Sequence, residues 1–175
     1  MRIKTSLALA LASAVSFSAA FATTLPQMSI EAMAADAEVA IVGKVAATRT
    51  IQTDNGIATV TTFTVQLNGW GADGTTVDVV TPGGSFKSTR FQLGENAPGA
   101  PLMTLGQESM LLLSRDSVSG ELTIVGFNQG NLQIVKTAQG NKVSLPGTDQ
   151  LMPLDSAMAE LKRAKVAPTN SALAR

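Results

Sequence analysis

The side chains best suited to recognising a partner are concentrated in one short stretch of the chain. Phe86, Lys87, Arg90 and Phe91 fall within six residues, and aromatic and arginine side chains are favoured at binding interfaces. This stretch therefore predicts an adhesive surface made of two rings and two cations. The alternative is that both rings pack back onto the domain as anchors while the two cations stay solvated.

Trp70, the single tryptophan, is the other candidate binding residue. It stands in a glycine-rich segment, where its ring could stack on a sugar or fill a pocket of a partner protein. The alternative is that the ring closes one end of the domain core. Both interpretations are compatible with the sequence.

The residue types on which most catalytic and metal sites depend are missing, because the chain has no cysteine, histidine or tyrosine. Ser-His-Asp and Cys-His catalysis are excluded, as are zinc sites built on histidine or cysteine and haem held by histidine. Carboxylates remain as candidates for hydrolysis, yet no two of them stand in a pattern that predicts an apposed pair. We therefore expect no catalytic residue, no metal site and no cofactor.

Residues 1–22 have the three parts of a secretory signal peptide. Arg2 and Lys4 give a basic start, an apolar stretch follows, and Ala20 and Ala22 occupy the −3 and −1 positions. We predict cleavage after Ala22 and a secreted or periplasmic protein. The apolar stretch is short for a membrane span, so no stable membrane insertion is expected after cleavage.

The charge balance argues against nucleic acid as a partner. Loss of Arg2 and Lys4 would reduce the 13 basic residues to 11, against 13 acidic residues. A weakly acidic domain lacks the basic surface that binds phosphate backbones. The remaining composition, 45% hydrophobic and 15% charged, is that of a folded globular domain.

Short segments with period-two hydrophobicity, separated by turn residues, predict a mainly β domain over residues 23–148. Ser29 is a plausible N-cap for a short helix over 29–37, and Asn55-Gly56 is a strong hairpin signal. A C-terminal helix is predicted within 149–167, capped by Asp155 or Ser156, followed by a disordered tail over 168–175. The predicted strands are 39–45, 59–67, 75–80, 110–113, 122–125, 132–135 and 142–145.

Two features refine this fold prediction. Gly43 interrupts a strand, as glycine does where a strand bulges or coils at a barrel corner. We therefore predict a small OB-like β-barrel, closed or partly open, with a sandwich as the alternative. Ser85 to Gln107 form a long loop without sustained periodicity, and compact domains seldom carry such a loop without a function.

A set of segments between residues 28 and 165 carries a family resemblance. They are an initial helix, Val42-Gly43-Lys44-Val45, Pro82-Gly83-Gly84, Gly99-Ala100-Pro101, Leu105-Gly106-Gln107-Glu108, residues 126–132 and an acidic-capped C-terminal helix. Together they resemble a largely uncharacterised family of exported bacterial proteins with OB-like or netrin-like β-barrels, often found alongside secreted metalloproteases. The resemblance implies an exported protein partner, with a metalloprotease as one candidate. The barrel is also similar in outline to tissue metalloprotease inhibitors, whose zinc-chelating N-terminal cysteine this chain lacks.

These observations lead to one expected function and two alternatives. We expect an exported, non-enzymatic binding module that contacts a protein through the 85–107 loop. The first alternative is a structural protein of the cell envelope or extracellular matrix without a discrete site. The second is a hydrolase that uses carboxylates, which would show a cleft with two facing acids.

Overall fold

The computed structural model describes residues 25–54, 56–87, 92–145 and 150–167, with the backbone alone at 86, 87 and 92. Within these ranges the chain is mainly β, with one short helix near the start and one at the end, as predicted. The elements in chain order are α1 (Ile30–Asp36), β1 (Val39–Thr53), β2 (Gly56–Trp70), β3 (Thr76–Pro82), β4 (Gly84–Lys87), β5 (Gln92–Glu95), β6 (Glu108–Arg115), β7 (Leu122–Ile124), β8 (Asn131–Thr137), β9 (Gly140–Ser144), β10 (Leu151–Pro153) and α2 (Leu154–Val166).

Eight of these strands form one antiparallel sheet. Its order is β10-β9-β8-β6-β1-β2-β3, and β7 pairs with the end of β6. The pairing of Thr53 with Gly56 confirms the predicted β1–β2 hairpin, although Asn55 lies outside the described residues. β4 and β5 form a separate two-stranded hairpin.

Strand β6 and the first part of β1, residues 39–43, are buried on both faces, because their side chains alternate between two hydrophobic cores. Val42 of β1 packs with Met33 of α1 and Leu161 of α2 in what we call the helix-side core. Ile41 of β1 packs with Phe63 of β2 in the inner core. The helices therefore cover one face of the sheet, and the other face encloses its own core.

The sheet curls around the inner core until β3 lies against β7. Val79 of β3 and Ile124 of β7 both belong to that core. No ladder of hydrogen bonds joins these two strands within the described ranges. The mainly β domain is thus confirmed in outline, while a closed barrel is not found.

Local capping explains where α1 begins, whereas α2 begins for a different reason. Ser29 caps α1, as predicted, and its Oγ accepts a hydrogen bond of 3.2 Å from the Ala32 amide. The predicted cap of α2 is wrong: Pro153 occupies the N-cap position, and no side chain caps this helix. Because Pro153 also ends β10, strand pairing with β9 and the fixed proline φ together set the start of the helix.

Two further expectations need correction. Residues 85–107 are not a structureless loop, since β4 and β5 pair there from Gly84 with Glu95 to Lys87 with Gln92. The segment 149–167, predicted as helix alone, also contains β10. Strands of three or four residues are too short to show a period-two hydrophobic pattern. Pairing with a neighbouring strand, and not the local sequence, identifies them.

The remaining boundary predictions fall outside the described residues. These are the signal peptide over 1–22 and the tail over 168–175. Among the helices that the structure describes, none combines the length and apolar character needed to cross a bilayer.

Candidate binding site

A cavity of about 260 Å³ lies where the open end of the curled sheet meets the chain segment that joins β3 to β6. We call residues 83–107 the β3–β6 connection and this space the threonine cavity. Its sheet side is lined by Thr48, Thr59, Thr61 and Thr81, which come from three neighbouring strands. The other wall consists of residues 82–84, 95–97 and 99–103.

The threonines continue the inner face of the sheet beyond its apolar core. Thr59, Thr61 and Phe63 lie two residues apart on β2, so their side chains share one face. Phe63 is fully buried in the inner core, and Thr61 beside it is only 1% exposed. The inner face therefore changes from apolar to hydroxyl-bearing side chains as it reaches the cavity.

Hydrogen bonds hold most of these polar groups in place. Thr59 Oγ1 donates to the Gly83 carbonyl at 2.8 Å, and Thr81 Oγ1 donates to the Thr59 carbonyl at 3.4 Å. Glu95 Oε2 accepts from the Ile57 amide at 2.7 Å. Thr61 Oγ1 is the exception, because it is buried without a hydrogen-bond partner in the described part of the protein.

The β3–β6 connection is fastened to the sheet at both ends. Near its start, the Gly83 amide donates to the Ile57 carbonyl at 2.8 Å. Near its end, the Gly106 amide donates to the Val45 carbonyl, and the Val45 amide donates to the Gln107 carbonyl, each at 2.9 Å. These bonds tie both ends of the connection to the sheet.

Large apolar side chains on this fastened segment face solvent. Leu102 is 91% exposed, Leu105 is 74% exposed and Leu93 is 50% exposed. Single exposed apolar residues are ordinary, whereas several on one segment mark a surface suited to contact with another molecule. We call these three side chains the leucine surface.

The residues that the sequence singled out lie on the same connection. Phe86 and Lys87 stand at the end of β4, and Gln92 begins β5 opposite them. Phe86 and Lys87 thus occupy the turn end of the β4–β5 hairpin, away from its base at Gly84 and Glu95. Arg90 and Phe91 lie outside the described residues.

Trp70 is separated from that hairpin by most of the length of β2. It ends β2 and pairs with Ala40, whereas Ala58 near the start of β2 pairs with Pro82, just before the connection. The Trp70 ring packs against the helix-side core, and its Nε1 donates to the Ala37 carbonyl at 3.4 Å. Its contacts thus join β2 to the end of α1.

Phe127 has a backbone conformation that side-chain-bearing residues rarely adopt, with φ at +68°. Such strain persists where the surroundings hold it in place. The ring lies over Gly99 in the wall of the threonine cavity, since a Cβ on Gly99 would be 3.4 Å from Phe127 Cε1. The Phe127 ring thus lies close to the β3–β6 connection at Gly99.

Two observations concern the described carboxylates. Within the described residues there is no group of three acidic side chains able to hold a metal ion. The surroundings lower the pKa of three carboxyls: a hydrogen bond from Ser29 acts on Glu31, the ammonium of Lys136 on Glu108, and the backbone amide of Ser119 on Asp116. A carboxylic acid that donates a proton near neutral pH needs a raised pKa instead.

Sequence reasoning pointed to the same segment but missed most of the residues that line this cavity. The threonines were unremarkable β-formers, and only the curl of the sheet brings Thr81 of β3 to the same cavity as Thr48 of β1. The leucine surface was also missed, although the apolar Leu102 and Leu105 beside Pro101 and Gly106 were a readable signal. No local pattern marked Phe127.

The chain was compared with known proteins and families. No family model matches it, and no curated protein shows significant similarity to it. The family resemblance therefore stays a prediction, and the chemistry of the site must carry the functional argument.

Proposed function

We propose that this protein is an exported, non-enzymatic binding module that docks a protein partner on the β3–β6 connection. The observation that carries the proposal is the leucine surface, which lies on a segment hydrogen-bonded to the sheet at both ends. Leu102 and Leu105 are 91% and 74% exposed although their segment is fastened to the sheet. Apolar groups that are exposed and already ordered lose little conformational entropy when they bind.

The aromatic and cationic residues of the β4–β5 hairpin extend the same surface. Phe86 and Lys87 stand on its turn end, and Arg90 and Phe91 belong to the same short stretch of sequence. Aromatic and arginine residues in the same segment of sequence as exposed leucines favour a protein partner with an apolar patch and an acidic rim. The family resemblance adds an exported metalloprotease as one candidate.

The scaffold proposed for this surface is a partly open OB-like barrel. The packing of β3 against β7 supports it, as does the shift in the β1–β2 register beside Gly43. The alternative, a structural protein of the envelope or matrix, predicts self-assembly and no dependence on the leucine surface.

The test compares three proteins as bait for cross-linking in the secreted fraction of the producing cells. They are the wild type, the double variant Leu102→Ser with Leu105→Ser, and the control Val118→Ser. Val118 is 94% exposed on the β6–β7 turn, so its replacement removes an exposed apolar side chain elsewhere on the domain. We expect wild type and control to capture the same protein, and the double variant to capture it at least about tenfold less.

Equal capture by all three proteins would show that the leucine surface is not the binding site. Sedimentation of the purified protein alone tests the structural alternative, because a self-assembling protein would form large species as its concentration rises. A monomer over that range would count against the structural role.

A further inference from the structure

We propose that the threonine cavity binds a small uncharged molecule carrying several hydroxyl groups, with the chemistry of a single sugar ring. This site lies behind the β3–β6 connection and is lined by the sheet. The inference goes beyond the proposed docking of a protein, and either can fail without the other.

The first argument is the unsatisfied hydroxyl of Thr61. Thr61 lines the cavity and is 1% exposed, and its Oγ1 has no hydrogen-bond partner in the described part of the chain. Buried hydroxyls are nearly always paired, because leaving one unpaired costs stability. The neighbouring hydroxyls of Thr59 and Thr81 find carbonyl acceptors instead. The Oγ1 atom itself is closed to solvent, so a χ1 rotation of Thr61 would turn it toward the cavity, where a hydroxyl group of a bound ligand would supply the missing partner.

The second argument is that the cavity is rich in hydrogen-bond acceptors. Thr59 Oγ1 and Thr81 Oγ1 each donate a hydrogen bond to a backbone carbonyl. Their lone pairs therefore remain available as acceptors. Glu95 adds a carboxylate, one oxygen of which is taken by the Ile57 amide. Such a site needs a ligand with several donors, and a polyhydroxylated molecule has them.

The charge of the lining excludes anionic ligands. Among the described lining residues Glu95 is ionisable, and no lysine or arginine stands beside it. A phosphate or carboxylate ligand would therefore meet an uncompensated negative charge. A neutral ligand avoids this repulsion.

The size and apolar wall of the cavity match one ring. Its volume of about 260 Å³ lies just under the range of roughly 300–1,000 Å³ typical of pockets for drug-sized ligands. Pro82, Pro101 and Met103 supply carbon surface opposite the threonines. A sugar ring has this same division, with hydroxyls around its edge and C–H groups on its face.

The inference is tested by amide NMR of the mature protein titrated with D-glucose. We expect saturable shifts at residues of the cavity wall, and binding of D-glucuronate at least about tenfold weaker because its carboxylate faces Glu95. Thr61→Val should weaken glucose binding at least about tenfold without loss of thermal stability, since it removes an unpaired hydroxyl. Thr62→Val is the matched control, because the Thr62 hydroxyl bonds Asp78 at 2.6 Å on the opposite face of β2. It should bind glucose as wild type does.

A second variant, Ala100→Leu, fills the cavity from the connection and should also abolish the shifts. A free sugar and the end of a glycan share the proposed chemistry, and titration with maltoheptaose tells them apart. If maltoheptaose binds at least as tightly as glucose, the ligand is the end of a glycan. If it binds more weakly, the ligand is a free sugar. Absence of saturable shifts with glucose in the wild type would overturn the inference. So would shifts that persist unchanged in Thr61→Val and Ala100→Leu.

Discussion

Gly43 lies against the ring of Phe63 where β1 crosses the inner core. A Cβ atom on Gly43 would stand 3.1 Å from Phe63 Cβ and 3.3 Å from Phe63 Cδ1. Phe63 is fully buried, so it has little freedom to move away. The β1–β2 register also shifts between Val42 and Gly43, which is compatible with the predicted bulge. Gly43 is thus needed for close approach inside a strand, where glycine is otherwise unfavourable.

Gly43→Val should lower the free energy of unfolding by about 1–3 kcal/mol, because overpacking outweighs the better β propensity of valine. Gly94→Val is the matched control: Gly94 also lies in a strand, and the nearest heavy atom to its added Cβ would be the Gly84 carbonyl oxygen at 3.9 Å. Urea denaturation followed by circular dichroism measures both. If Gly43→Val equals or exceeds the wild type in stability, the packing argument is wrong.

The β4–β5 hairpin should serve binding more than folding. The double variant Phe86→Ser with Phe91→Ser is expected to keep near-native thermal stability and to lose affinity for the protein partner. Full burial of each ring would be worth about 1.5–3 kcal/mol, so a purely structural role demands a clear drop in melting temperature. Differential scanning calorimetry decides between the two, and a large drop would make the hairpin part of the scaffold.

Export should remove the first 22 residues. The basic start and the alanines at positions 20 and 22 predict a signal peptidase site. N-terminal sequencing of protein from the periplasm or medium should begin at Thr23. Ala20→Leu, which places a large side chain at the −3 position, should slow this cleavage. A mature protein that still begins at Met1 would contradict the prediction.

The ion pair between Glu108 and Lys136 should make stability depend on pH. Lys136 Nζ lies 3.0 Å from Glu108 Oε2 and lowers the pKa of Glu108 below its usual value. A lowered carboxyl pKa contributes stability above the unfolded pKa of about 4.3, and this contribution is lost as pH falls through the lower folded value.

At pH 6 the wild type should therefore have a higher melting temperature than Glu108→Gln. The difference should correspond to at most about 1 kcal/mol, because the Lys136 side chain is largely exposed. The gap should shrink as the pH falls below about 4. Glu121→Gln, which replaces an exposed carboxylate on the β6–β7 turn, is the control. A gap between wild type and Glu108→Gln that stays constant across this pH range would show that the pair does not act through charge.

Much of the fold was readable because local rules governed it. Ser29 was recognisable as a cap, since a hydroxyl before an amphipathic stretch satisfies a free amide of the first turn. The β1–β2 hairpin followed from its Asn-Gly turn. The N-cap of α2 could not be predicted from local rules. Pro153 is placed there by strand pairing with β9, which the residues next to it do not reveal.

The sequence by itself determined the chemistry that this protein lacks and the segment that carries its candidate surface. The absence of cysteine and histidine, and the cluster from Phe86 to Phe91, are properties of composition and spacing. Tertiary structure alone decided that Thr48 and Thr81 share a cavity, that Trp70 packs under α1, and that Leu102 faces solvent. Those relations depend on how far the sheet curls and on where the β3–β6 connection is fastened, and both arise from contacts between residues far apart in the chain.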